Sequence, residues 1–201
     1  NQPTRPSQGA SAWAGLYSRS RGVTSTLIAA EQLDLAQKSV EAARSSGAPD
    51  YAKEEWVKLD QELSKAKEEL VAQERAFSLF RSYSKADEML KRISRKAKRV
   101  ATTAEAKKEE AKTAALYREK EAATVVASAE NLLSKAPMGK DHAAVQAIKN
   151  DLGGLKSGLG DIHQLIEKGD YLGAEAKARA VKEKGESLVV EIQQALETLK
   201  R

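Results

Sequence analysis

Residues 80–104, FRSYSKADEMLKRISRKAKRVATTA, decide how this chain folds, because the apolar seam entering them and the seam leaving them do not share a register. Upstream, apolar residues fall at Ala52, Trp56, Leu59, Leu63, Ala66 and Leu70, miss a beat at Gln73, and resume at Phe77 and Phe80. Spacings that alternate between four and three mark one face of an amphipathic helix. Continued past Phe80, the same count lands on Ser84, Asp87 and Lys91, all polar, while a fresh seam starts at Ala86, Leu90, Ile93, Ala97, Val100 and Ala104. Residues 50–136 contain neither Gly nor Pro, so composition alone permits one helix of 87 residues. The change of register instead predicts a turn over residues 81–84, with a local stammer in a continuous helix as the alternative source of the shift.

Downstream of that turn, one helix is expected over residues 85–136, ended by Pro137 and Gly139. Its seam keeps phase but thins through Lys108, Ala111, Ala115 and Arg118, then strengthens as Ala122, Val125, Ala129, Leu132 and Ala136. Across residues 105–113 alanine is the only apolar surface, which is how a joint between two bundles sharing one helix looks. Upstream, Ala29, Leu33, Ala36, Val40 and Ala43 form a first helix, with Thr24 or Ser25 as N-cap and Ser45-Ser46-Gly47 as its end. Pro49 and Asp50 open the second helix.

A fourth helix starts near Asp141 on Val145, Ile148, Leu152, Leu155, Leu159, Ile162 and Ile166, and a turn follows at Gly169-Asp170. The fifth uses Tyr171, Ala174, Ala178, Val181, Gly185, Leu188, Ile192, Ala195 and Leu199. Trp56, Leu63 and Leu70 correspond to Ile148, Leu155 and Ile162, while Tyr83 and Ala86 correspond to Tyr171 and Ala174, so a degenerate internal repeat places the first turn opposite the second. At about 1.5 Å per residue the second and fifth helices span roughly 45 Å and the third roughly 78 Å. The expected fold is all-α: elongated antiparallel bundles, two of three helices each, sharing one long central helix, with a compact single bundle as the alternative. The expected domains are an extended arm over residues 1–22, a first bundle over 23–110 and a second over 111–201.

Composition narrows the function classes. The chain is 41% apolar and 31% charged but only 4% aromatic, and its 201 residues hold no Cys. That excludes disulfides, thiolate metal sites and cysteine nucleophiles, and it disfavours β-sandwich and α/β cores. A formal charge of +5 is ordinary surface chemistry for so charged a chain, not the mark of an obligate nucleic-acid binder. No apolar run approaches the roughly 18 residues needed to cross a bilayer, so a soluble chain without a membrane span is expected. It starts at Asn1 with no charged-then-apolar leader, which is compatible with a removed segment and with secretion. His142 and His163 stand far apart without a Glu-x-x-His pair, and neither phosphate-binding glycine motif is present. His163, four residues before Glu167, reads as a surface ion-pair partner. The chain is therefore expected to be no enzyme and to need no metal or cofactor.

Three features remain. Trp13, Leu16 and Tyr17 are apolar exceptions in the polar arm and are the candidate partner-binding residues. Lys91, Arg92, Arg95, Lys96, Lys98 and Arg99 put six cations into nine residues with no acid among them. They read as the solvated face of the third helix or, alternatively, as an anion-binding stripe for phosphate backbones or acidic headgroups; Tyr83 nearby is a single ring and no stacking platform. Gly153, Gly154, Gly158 and Gly160 in the fourth helix read as close helix approach or a local break, or else as a hinge or docking groove.

Gly47-Ala48-Pro49-Asp50-Tyr51-Ala52, with Trp56, Leu63, Ala66, Phe77, Tyr83 and Ala86, resembles the alanine-rich helical domains of unknown function in bacterial envelope proteins and lipoproteins, the family numbered four-three-nine-eight. The resemblance covers residues 42–86 and, more faintly, Gly169-Asp170-Tyr171-Leu172-Gly173-Ala174. That hexapeptide is also similar to tetratricopeptide units, but no period of about 34 residues accompanies it. The resemblance implies a periplasmic or envelope location and a non-enzymatic role, and supplies no catalytic residues. The expected function is thus a structural or adaptor protein of the bacterial envelope that binds another protein. The alternative is anionic-surface binding, to nucleic acid or acidic lipid, through the basic stripe; homo-oligomerisation is left open.

Overall fold

The computed structural model describes residues 10–76, 82–135 and 142–199, and within the first helix it describes side chains from residue 27 onward. Among these residues the fold is all-α with no strand: α1 (Ala10–Ser45), α2 (Ala48–Tyr51), α3 (Lys53–Arg75), α4 (Ser84–Ser134), α5 (His142–Glu167) and α6 (Tyr171–Leu199). No described helix is long and apolar enough to cross a membrane. The chain divides into two compact units, one ending at Lys107 and the other starting at Lys108, and the division falls inside α4.

In the first unit the core is built from α1, α3 and the first part of α4. Ala86, Leu90, Ile93, Ala97, Val100 and Ala104 are all buried, against Ala29, Ala36, Val40 and Ala43 of α1 and Leu59, Leu63, Ala66 and Leu70 of α3. The alternation of alanine with larger side chains lets helix backbones approach closely while the Leu and Ile side chains fill the spaces between them. Trp56, expected in the seam, is half-buried.

Two boundaries differ from the sequence reading. The helix expected to start at Thr24 or Ser25 already runs from Ala10, so residues 10–22 are helical and not an extended arm. No proline follows Pro6 in that segment, and Ala10, Ala12, Ala14, Leu16 and the arginines favour helix more than Gly15 and Gly22 oppose it. The second helix is also not one piece. Ala48–Tyr51 forms a single turn behind Gly47 (φ 87°), Ala52 leaves the helical region at φ −136°, ψ 45°, and α3 begins at Lys53.

The change of register at residues 80–104 does separate two helices, but α3 stops at Arg75, earlier than the expected turn over residues 81–84, and Ala76 is extended at φ −71°, ψ 150°. Gln73 bridges the early stop. The residue that missed the seam donates Nε2 to Glu69 Oε1 at 3.0 Å and accepts the Ser82 backbone N–H on Oε1 at 2.9 Å, tying the end of α3 to the entry of α4. Phe77 and Phe80, expected on the second helix, lie outside the described residues.

In the second unit, Ala115, Ala122, Val126 and Ala129 of α4 share a core with Ile148, Leu152, Leu155 and Ile162 of α5 and Ala174, Ala178, Val181, Leu188 and Ile192 of α6. Val126 is buried where the sequence count favoured Val125, which is half-buried. A helix of 3.6 residues per turn sets either valine near the seam, and four residues from Ala122 faces it better than three. The turn after α5 is a Schellman motif: Asp170 N–H donates to Leu165 C=O and Gly169 N–H to Ile166 C=O, with Gly169 at φ 78°. Asp170 then caps α6 by accepting the Gly173 N–H on Oδ1 at 2.9 Å.

Candidate functional site

The six-cation stretch on α4 divides by what its members touch. Lys91 pairs with Asp87 one turn earlier at 2.7 Å, and Lys96 reaches across to Glu62 of α3, also at 2.7 Å. Lys85 does the same with Glu69 at 2.7 Å, where hydrogen bonds from Lys85 and then Gln73 hold the Glu69 carboxyl below its ordinary 4.5. Arg92, Arg95, Lys98 and Arg99 are exposed and have no acidic partner among the described residues. They lie opposite the buried seam of α4, so the core beneath holds the helix while the three guanidinium groups and the Lys98 ammonium face water.

Beside this face runs a groove between α1 and α4, of about 440 Å³, bounded by Leu35, Ser39 and Ala42 on one side and Lys98, Ala101 and Thr102 on the other. Leu35 and Ile28 are 45% and 46% exposed, and adjacent Leu27 is 65% exposed. Ser46 Oγ donates to Glu105 Oε1 at 2.8 Å where the groove closes. The sequence reading passed over this groove, because only the main seam of α1 was followed. The signal was present: Leu35 and Ala42 stand seven residues apart off that seam.

Trp13, Leu16 and Tyr17 stand on the backbone of α1, upstream of Leu27; their side chains lie outside what is described, as does that of His142. His163 is exposed between Glu119, at 3.3 Å from Nδ1, and Glu167, at 3.5 Å from Nε2. Among the described residues no three His, Asp or Glu side chains converge as metal ligands would.

The glycines of α5 do not break it, since the helix is continuous from His142 to Glu167. Only Gly158 marks a close approach: a Cβ there would stand 2.7 Å from Val181 Cγ2, whereas Gly153, Gly154 and Gly160 have nothing within 4 Å. A larger groove of about 730 Å³ lies over Gly154, Gly158 and Ala180 between α5 and α6. Its walls carry both signs, and its Lys177 and Asp161 already pair at 2.8 Å, so it offers no preferred charge to a ligand. On the α4–α6 side, Glu121 accepts from Arg118 at 2.7 Å and Lys182 at 3.0 Å; these bonds lower its carboxyl from 4.5 and raise Lys182 from 10.5.

Compared with protein-family models, with curated proteins and with solved structures, the chain matches none.

Proposed function

We propose that this protein is a non-enzymatic adaptor of the bacterial cell envelope that works by binding another protein. The observation that supports the binding role is the outward apolar line of α1, where Leu27, Ile28 and Leu35 stay exposed on a helix that also carries Trp13, Leu16 and Tyr17. Apolar side chains grouped on a surface and rimmed by polar ones are commonly protein contacts. The envelope location rests on the resemblance over residues 42–86. Cross-linking in native cells, followed by recovery at low and high salt, tests the role. A defined protein should be recovered at both salts and lost on deletion of residues 1–22, with the helicity of the remaining residues retained. Reproducible turnover by the purified chain would overturn it.

A second reading, binding of an anionic surface, draws on the four unpaired cations Arg92, Arg95, Lys98 and Arg99. It requires recovery dominated by nucleic acid or acidic lipid, lost at high salt and abolished by charge reversal at Arg92, Arg95 and Arg99.

A further inference from the structure

We infer that the groove between α1 and α4 in the first unit takes an amphipathic helix of a partner protein, apolar along one side and acidic along the edge that faces α4. This rests on the protein-binding role proposed above and names the surface and the chemistry of the partner.

The apolar surface of the groove comes from Leu35, Ala42 and Ala101, and Lys38, Lys98 and Glu105 also line it. Leu35 and Ala42 line it from α1, and Ala101 faces them from α4. The two hydroxyls beside them are already satisfied by their own helices: Ser39 Oγ donates to Leu35 C=O at 2.8 Å, and Thr102 Oγ1 to Lys98 C=O at 3.1 Å. Both hydroxyl protons are therefore engaged within their own helices. From Leu35 to Ala42 is about 10 Å, or two turns, at 1.5 Å per residue. Seven-residue spacing on α1 is the spacing at which a second helix sets its side chains into the gaps of the first. An extended peptide gains less here, because helix walls offer no free backbone edge to pair with.

The charge is one-sided. On the α4 wall Lys98 is exposed with no carboxylate of its own, as is Arg95 one turn earlier on the same helix, outside the lining. On the α1 wall, Lys38 is already held by Asp34 at 2.7 Å. An acidic edge on the incoming helix thus finds partners on α4 and none on α1, which sets its rotation in the groove. Glu105, engaged by Ser46, repels that edge at the far end and limits its length.

The same boundaries disfavour a long polyanion or a flat anionic membrane. The run of unopposed cations on α4 is closed by Glu88 before it and Glu105 after it, and the neighbouring outward face of α1 carries Glu31, Asp34 and Glu41. A duplex or a bilayer extending past the stripe meets acids on these sides.

The test uses the full chain and three probes: a fluorescein-labelled synthetic helix with Leu along one face and Glu along one edge, a short DNA duplex, and phosphatidylglycerol–phosphatidylcholine vesicles. The Glu helix should bind, and its Lys-edged counterpart should not. Arg95→Glu with Lys98→Glu should weaken Glu-helix binding about tenfold or more, as should Leu35→Glu, since each removes one half of the recognition. Leu35→Ser serves as a milder variant, and circular dichroism must show unchanged helicity. Val190→Glu with Lys184→Glu, on the exposed surface of α6, should leave binding unchanged. Failure of the Glu helix to bind, equal binding of the Lys-edged helix, or equal loss in the α6 variant overturns the inference. So does binding of the duplex or the vesicles that exceeds that of the Glu helix and depends on Arg95 and Lys98. Cross-linking in cells keeps the two claims apart: a partner recovered equally by wild type and by the Leu35→Glu, Lys98→Glu variant removes the groove but keeps the adaptor, whereas no recovered protein removes both.

Discussion

Four glycines in one uninterrupted helix make opposite predictions from the same substitution. Gly153, Gly154 and Gly160 have helical backbone and open space where a Cβ would stand. Replacing each by alanine removes unfolded-chain freedom and adds no contact that must be relieved, a gain of about 0.5–1 kcal/mol per site. The triple variant should therefore gain about 1.5–3 kcal/mol. At Gly158 the new Cβ would lie 2.7 Å from Val181 Cγ2, against ordinary contacts of 3.4–4 Å. Val181 is buried on a neighbouring helix, and its branched side chain has essentially one rotamer there, so α5 and α6 must separate by several tenths of an ångström. Overpacking of this kind costs about 1–3 kcal/mol, which exceeds or cancels the gain in helix propensity. Scanning calorimetry with the transition of the second unit resolved is the assay, and each kcal/mol corresponds to about 4–8 °C for a unit of this size. The triple variant should melt higher, and Gly158→Ala should melt lower or unchanged. Stabilisation by Gly158→Ala as large as at the exposed sites would refute the close α5–α6 contact. No stabilisation from the triple variant would refute a continuous α5.

Two further outcomes follow from caps and charges. Asp170→Ala removes the acceptor of the Gly173 N–H at the start of α6 and should lower the stability of the second unit by about 0.5–2 kcal/mol in urea unfolding, with Asp170→Asn retaining most of it. Glu69 and Glu121 are both held below 4.5 in the folded chain, by Lys85 and Gln73 and by Arg118 and Lys182. Carboxyls lowered by folding stabilise fully above their unfolded value and lose that contribution as pH falls through the folded one. Urea midpoints should thus be level from neutrality down to about the ordinary carboxylate range and fall below it, and Glu121→Gln should shallow that acid-side fall. An unaltered pH profile in the variant would show that the pair with Arg118 and Lys182 does not persist in solution.

The candidate site was legible in pieces. Residues 91–99 announce their charge in the sequence, but which cations stay free depends on acids brought from elsewhere: Glu62, thirty-four positions before Lys96, neutralises it only because α3 packs on α4. The groove beside them joins Leu35 and Ala42 to Lys98 and Ala101, from two helices separated by all of α2 and α3, and no local pattern reports that meeting. Gln73 read as a lapse in the seam, and its role as a bridge from α3 to the entry of α4 was hidden because its amide can serve Glu69 and Ser82 together only when the chain has turned back.

What the sequence determined by itself was the class of the fold and the faces of its helices. The spacing of Ala, Leu and Ile dictates which side of each helix leaves water, and burial of apolar area scales with that local pattern whatever the partner helix is. The turn at Gly169-Asp170 was equally local, since Gly at positive φ and an Asp cap act within a few residues. The tertiary structure alone decided where α3 ends, which valine of the pair at 125 and 126 enters the core, which glycine of α5 is crowded, and which cations remain unpaired. Each of these depends on the distance to an atom on another helix, and contacts of that kind are set by packing at ångström scale, which a one-dimensional pattern does not contain.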